Sequence, residues 1–118
     1  MEEQKILFER LRQIKDYWVK TSLESLDEDA DLIWSEHEEE YKILQSSILE
    51  KEEKIAYSKV IDEVIKGTMH SILVMLDGGD ELTDKFNIDI VNSDTKKSLK
   101  ENIALHEEFY GYLLDNEE

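Results

Sequence analysis

The chain contains no cysteine and no proline, and its 118 residues include only four glycines. Without cysteine there is no disulfide framework, no thiol nucleophile and no thiolate zinc site. That usage fits a reducing compartment. No run of about 18 apolar residues occurs, so no segment reads as a bilayer span. The opening MEEQKILFERLRQ carries charge throughout and lacks the apolar stretch of a secretory signal. The expectation is a cytoplasmic protein forming a single domain over residues 1–118.

Basic residues are also scarce. Fourteen Lys and Arg stand against thirty Asp and Glu, a formal net charge of −16. Such a surplus repels nucleic-acid phosphates and anionic lipid, so neither nucleic acid nor membrane is an expected partner. The same field steers a basic protein toward the chain. Two Trp, five Tyr and three Phe within a 40% hydrophobic composition lift the sequence out of the disordered class.

Several chemistries lack their motifs. No phosphate-cradling GxxxxGK or GxGxxG is present, and no GxSxG nucleophile elbow, so no cofactor is expected. His37-Glu38 and His106-Glu107 each begin like the zincin helix, but position i+4 holds Tyr41 and Tyr110 where the second His is needed. Asp77-Gly-Gly-Asp80 lacks the ligand spacing and closing Glu of an EF-hand loop.

What is present is helical periodicity. Leu7, Leu11, Ile14 and Trp18 recur at helical spacing, which predicts an amphipathic helix over Glu2 to Lys20. Ser25 and Glu28 have capping-box spacing, placing a second helix at about 26–45. Ser47 and Glu50 repeat that spacing, as a third helix start or inside a continuous one. From Ile48 to Asp77 the pattern is helical and turns apolar on most sides near Met69 to Leu76, which suggests a segment central to the core. Gly78 and Gly79 suit a helix C-cap. Gly67 reads as a kink or a close-packing point.

Beyond the glycines the period changes. Phe86, Ile88 and Ile90 alternate with Asn87, Asp89 and Val91, a half-buried strand pattern, and Asn92, Ser93 and Asp94 are turn formers. A second short strand at 96–100 and a last helix at about 102–114 complete the reading. The fold class expected is α+β and helix-rich: three or four helices around a central helix, with a short β-hairpin. An all-α bundle is the alternative.

Two constellations stand out. Between Thr21 and Tyr41 there are nine acidic residues and no Lys or Arg. Glu28, Asp31, Glu36, Glu39 and Glu40, with Trp34 and Tyr41 among them, read as a face for a basic protein. Set against this is a solvated helix face with Trp34 in the core. The second constellation is His70, Asp77, His106 and Glu107, a donor set suited to a metal such as zinc. His70 and Asp77 share a helix face about 10 Å apart, too far for one ion unless the chain bends. Set against a metal site is a hydrogen-bonded His70 with an exposed His106.

The C-terminal half runs His70-Ser-Ile-Leu-Val-Met-Leu-Asp-Gly-Gly79, then Phe-Asn-Ile-Asp-Ile-Val, then Leu105-His-Glu-Glu-Phe109. This resembles a group of uncharacterised small acidic bacterial proteins with an H-x6-D-G-G helix end and a closing L-H-E helix. The likeness covers about residues 60–114. It implies a helix–hairpin–helix arrangement and brings no established activity. In size and acidity some such proteins resemble immunity proteins of toxin systems.

The sequence thus reads as a non-enzymatic acidic binding module engaging a basic partner, of immunity type among other forms. The alternative is a metal-binding protein or metal-dependent enzyme using His70 and His106 with Asp77 and Glu107. A homodimer through Trp18, Trp34 or Tyr112 is a third role.

Overall fold

The computed structural model describes residues 2–116, and among them lie four α-helices and no β-strand. The helices are α1 (Glu2–Glu24), α2 (Glu38–Ser47), α3 (Lys51–Leu76) and α4 (Leu105–Asn116), with a 3-10 turn at Glu81–Asp84. The fold is all-α. This corrects the α+β expectation in favour of its alternative.

The missing hairpin has a local cause. Ile88 and Ile90 do turn inward while Asn87, Asp89 and Val91 stay exposed, as the alternation suggests, but Phe86, the first residue of the pattern, is exposed too. Yet pairing shrinks to one isolated antiparallel bridge, Val91 with Ser98. Two backbone bonds flank it, Asn92 N to Lys97 O and Leu99 N to Ile90 O, but other backbone groups nearby are taken by side chains. Lys100 Nζ donates to Ile88 O at 2.7 Å and to Leu76 O at 2.6 Å. Asp89 Oδ1 accepts from Ile90 N at 2.8 Å and from Ser98 Oγ, also at 2.8 Å. Short polar side chains that bond nearby backbone compete with a sheet ladder.

The chain divides into two compact units. One joins the segment up to Gln13 with the segment from Lys66 onward; the other is Ile14–Ile65. The first holds the apolar cluster of Phe8, Leu73, Leu105, Phe109 and Leu113. Leu105, Phe109 and Leu113 fall every fourth residue on α4, so one helix face is buried. The rings of Phe8 and Phe109 lie 5.5 Å apart at 44°, a tilted contact. Each such side chain contributes roughly 1.5–3 kcal/mol by leaving water.

Helix α3 ends in a Schellman motif. Gly79 N bonds Val74 O at 2.8 Å, Gly78 N bonds Met75 O at 3.1 Å, and Gly78 takes φ +78°. Upstream, the segment expected to be central to the core is so on one side: Met69 and Leu76 pack against the apolar cluster. Leu73 is buried, but Ile72 is 47% exposed. No described residue packs closely against Gly67, so it is not a close-packing point.

In the Ile14–Ile65 unit the expected helix at 26–45 is also corrected. Residues 25–37 are turns and irregular chain, and the helix spans Glu38–Ser47. Ser25 Oγ donates back to Ser22 O, so it cannot cap a helix ahead of it. Asp31 Oδ1 accepts from Ile33 N at 3.0 Å, a local turn that competes with helix. Half of the second expected box forms three residues later than its sequence signal. Glu53 Oε1 reaches back to Glu50 N at 2.9 Å and to Leu49 N at 3.1 Å, opening α3.

Candidate functional site

In the Ile14–Ile65 unit four aromatic rings form a row. Tyr17 meets Trp18 at 5.4 Å, Trp18 meets Trp34 at 5.9 Å, and Trp34 meets Tyr41 at 5.4 Å, all edge to face. Such contacts hold rings in a fixed relation. The row is not core: Tyr17 is 61% exposed, Trp18 43% and Trp34 45%. The alternative that buries Trp34 is thereby set aside, and so is the inward reading of Trp18. Trp34 Nε1 donates to Asp31 O at 3.1 Å, which fixes the ring against its own turn.

Carboxylates stand beside Trp34, the third ring of the row. A concavity of about 370 Å³ is lined by Thr21, Glu24, Ser25, Asp27, Asp29, Ala30, Asp31 and Trp34. Its four acidic residues have nearby counter-charges only in part: Lys54 lies 3.7 Å from Asp27, and Lys20 lies 3.9 Å from Glu24. Of the residues expected from sequence, Asp31, Trp34 and Tyr41 come together. Glu39 and Glu40 are exposed in the first turn of α2, and Glu28 and Glu36 are exposed outside the concavity. The sequence reading left Tyr17 out of this face; Trp18 entered it only as a dimer contact, and Glu24, Asp27 and Asp29 only as members of the acidic segment. Adjacent Tyr17 and Trp18 cannot both lie on one narrow helix stripe, which was the available signal.

Behind this face the structure supplies buried polar anchors. Lys15, with a side chain 4% exposed, bonds Asp62 at 2.7 Å and Asp16 at 2.8 Å. Gln45 Nε2 donates to Ser25 O at 2.9 Å, tying α2 to the turn after α1. Burial pushes the Tyr57 phenol above its ordinary value; neighbouring Tyr41 adds to this, and a hydrogen bond with Ser25 opposes it.

The second constellation lies in the other unit. His70 on α3 and His106 on α4 have ring centroids 5.4 Å apart at 85°. Asp77, at the C-cap of α3, is a carboxylate with a 7% exposed side chain. Its Oδ1 accepts from Leu105 N at 2.9 Å. Its Oδ2 accepts from His106 N at 2.8 Å and pairs with His106 Nδ1 at 2.6 Å. Burial by itself would raise the Asp77 pKa, but these His106 and Leu105 bonds outweigh it and hold the carboxyl below its usual value. Glu107 Oε1 stands 4.0 Å from His106 Nε2. Thus all four sequence candidates meet, with Asp77 serving His106 rather than sharing an open site with His70. Among the described residues no group of three or more His, Cys, Asp or Glu side chains could hold a metal ion.

Compared with known proteins, the chain matches no family model, no curated relative and no solved structure. Among the described residues, no helix is long and apolar enough to cross a membrane.

Proposed function

We propose that the protein is a non-enzymatic recognition module whose acidic, aromatic face engages a basic protein partner. The observation that carries this reading is the Tyr17–Trp18–Trp34–Tyr41 row, exposed at its first three rings and bordered by carboxylates at Trp34. Large rings held by neighbouring rings lose little conformational freedom on contact, and Trp and Tyr dominate interface energetics. The surrounding carboxylates select a partner rich in Lys and Arg and accelerate its approach. Covering the basic surface of a toxin, as an immunity-type inhibitor does, is one form of this engagement.

The test starts with co-purification from the native host, followed by calorimetry of the recovered partner with the intact chain at graded salt. Affinity should fall as salt rises, and it should fall again on joint charge reversal at Glu36, Glu39 and Glu40. Trp34→Ala should weaken binding by about tenfold or more, the scale of a truncated interface anchor. Binding indifferent to salt, to charge reversal and to Trp34→Ala would refute the reading. Light scattering of the free chain separates self-association through the same rings from capture of a different protein.

A further inference from the structure

We infer that a groove between α1 and α4 is the docking site for an amphipathic helix of a partner protein, a helix that carries Lys or Arg along one flank. This stands independently of the Trp34 face. Every residue it uses belongs to the unit that joins the segment up to Gln13 with the segment from Lys66 onward.

The groove follows from how the two helices pair. Phe8 of α1 meets Phe109 at 5.5 Å and Tyr112 at 6.0 Å, and one turn further on Arg12 Nη1 donates to Asn116 O at 3.0 Å. The two helices therefore run side by side in the same direction here. Between them lies a concavity of about 360 Å³, lined by Lys5, Phe8, Glu108, Gly111, Tyr112 and Asp115. Buried Phe8 and half-buried Tyr112 give it an apolar floor. Its rims are charged, with Lys5 on the α1 side and Glu108 and Asp115 on the α4 side.

Gly111 keeps the α4 wall bare. Glycine inside a helix costs backbone entropy that alanine does not. The fold itself does not require it: Gly111 sits within regular helix, and an added Cβ would meet nothing within 4 Å. What the missing Cβ provides is exposed backbone beside the groove, where a second main chain can approach closely. Laying the apolar face of a helix into a groove is a recurring mode of recognition.

Charge selects the occupant. Glu108 and Asp115 are seven residues apart, which is two turns or roughly 10 Å along one side of α4. Among the described residues no ion pair engages either of them, or Lys5. A helix in the groove repeats the two-turn spacing, so Lys or Arg on its flank meets both carboxylates while the apolar residues between them face the floor. Lys5 on the opposite rim fixes the orientation, because it repels a basic flank and leaves α4 as its only match. The net charge of −16 draws a basic segment in and repels a second copy of the chain, so the occupant is a different protein.

The test uses a stapled helical peptide of about 18 residues with a Leu and Phe stripe and Lys along one flank. It is titrated into the full chain while amide NMR shifts map the contact. One peptide should bind per chain at micromolar concentration, with the largest shifts at Phe8, Gly111 and Tyr112. Gly111→Leu should weaken binding about tenfold or more, because the groove is then overfilled. Gly111→Ala should raise the thermal midpoint of the free chain and still weaken binding, a pair of effects that misfolding cannot produce. Glu108→Lys combined with Asp115→Lys should weaken binding roughly tenfold, mainly through slower association. Trp34→Ala, in the other unit, should leave it unchanged, and a peptide with Glu in place of Lys should not bind. No saturable binding at millimolar peptide, shifts that spare Phe8 and Tyr112, or indifference to Gly111→Leu overturns the assignment. So does light scattering that finds a dimer of the free chain abolished by Gly111→Leu, since the groove would then hold a second copy.

Discussion

Asp77 and His106 are joined twice through one oxygen: Oδ2 accepts the backbone N–H of His106 at 2.8 Å and meets its ring Nδ1 at 2.6 Å. Together with the Leu105 N–H on Oδ1, this makes Asp77 the N-cap of α4 from 28 residues away. A capping side chain ordinarily sits just ahead of its helix. Here the cap comes from the end of α3, so one carboxylate secures the C-terminal turn of one helix to the N-terminal turn of another.

Asp77→Ala should therefore destabilise the fold by roughly 1–3 kcal/mol, the combined scale of a lost cap and of hydrogen bonds to a charged acceptor. Equilibrium urea unfolding checks this. The midpoint should drop with little change in slope. An unaltered midpoint would mean that the first turn of α4 is satisfied without Asp77.

The acid limb of stability should carry the same signature. The folded Asp77 carboxyl lies below its ordinary value of 3.8. The native state then binds this proton less tightly than the unfolded chain does. The stabilisation is present above the unfolded value and disappears as pH falls from there through the lower folded value. The stability gap between the natural chain and Asp77→Ala should be present in mild acid. It should narrow below about pH 4. A gap that persists at full strength to the lowest pH tested would show that charge on Asp77 contributes nothing.

Leu73 offers a direct probe of the apolar cluster. It is 4% exposed and packs in the cluster with Phe8, Leu105, Phe109 and Leu113. Leu73→Ala should cost roughly 2–5 kcal/mol through lost transfer energy and a residual cavity. Ile72→Ala, at a position 47% exposed, should cost far less in the same urea experiment.

The helix stop makes a graded prediction. Gly78 has φ +78°. Gly78→Ala forces a Cβ into the left-handed region at about 1–2 kcal/mol. Gly78→Asn should cost less, since Asn tolerates that conformation. Equal losses for the two variants, read by thermal unfolding, would point to a steric cause at Thr83 Cγ2, which lies 3.4 Å from the added atom.

Periodicity made parts of this architecture legible. Leu105 and Phe109 were readable as the buried face of the last helix, and the paired glycines as its predecessor's stop, because both follow from backbone geometry alone. Where side chains compete for backbone groups, local pattern misled. Ser25 with Glu28 has the spacing of a helix start, yet Asp31 turns the chain within a few residues. The alternation at Phe86 to Val91 is that of a strand, yet Lys100 and Asp89 occupy the groups a partner strand needs. The site residues divide likewise. His70, Asp77, His106 and Glu107 were recognisable by type, but the order in which they meet depends on where α4 begins. Tyr17 escaped notice as a surface residue, and Trp18 was readable both as stripe and as dimer contact, because a helical stripe does not reveal where along its length burial ends.

Both tryptophans of the chain, Trp18 and Trp34, sit in the Ile14–Ile65 unit, 5.9 Å apart at an accessible face. The protein therefore carries a built-in optical reporter for one half of itself. Indole emission will register contact at the acidic rim, while loss of the Phe8–Phe109 packing passes unseen at that wavelength. Unfolding followed by this light and by far-ultraviolet ellipticity gives superimposable curves only if both halves melt together.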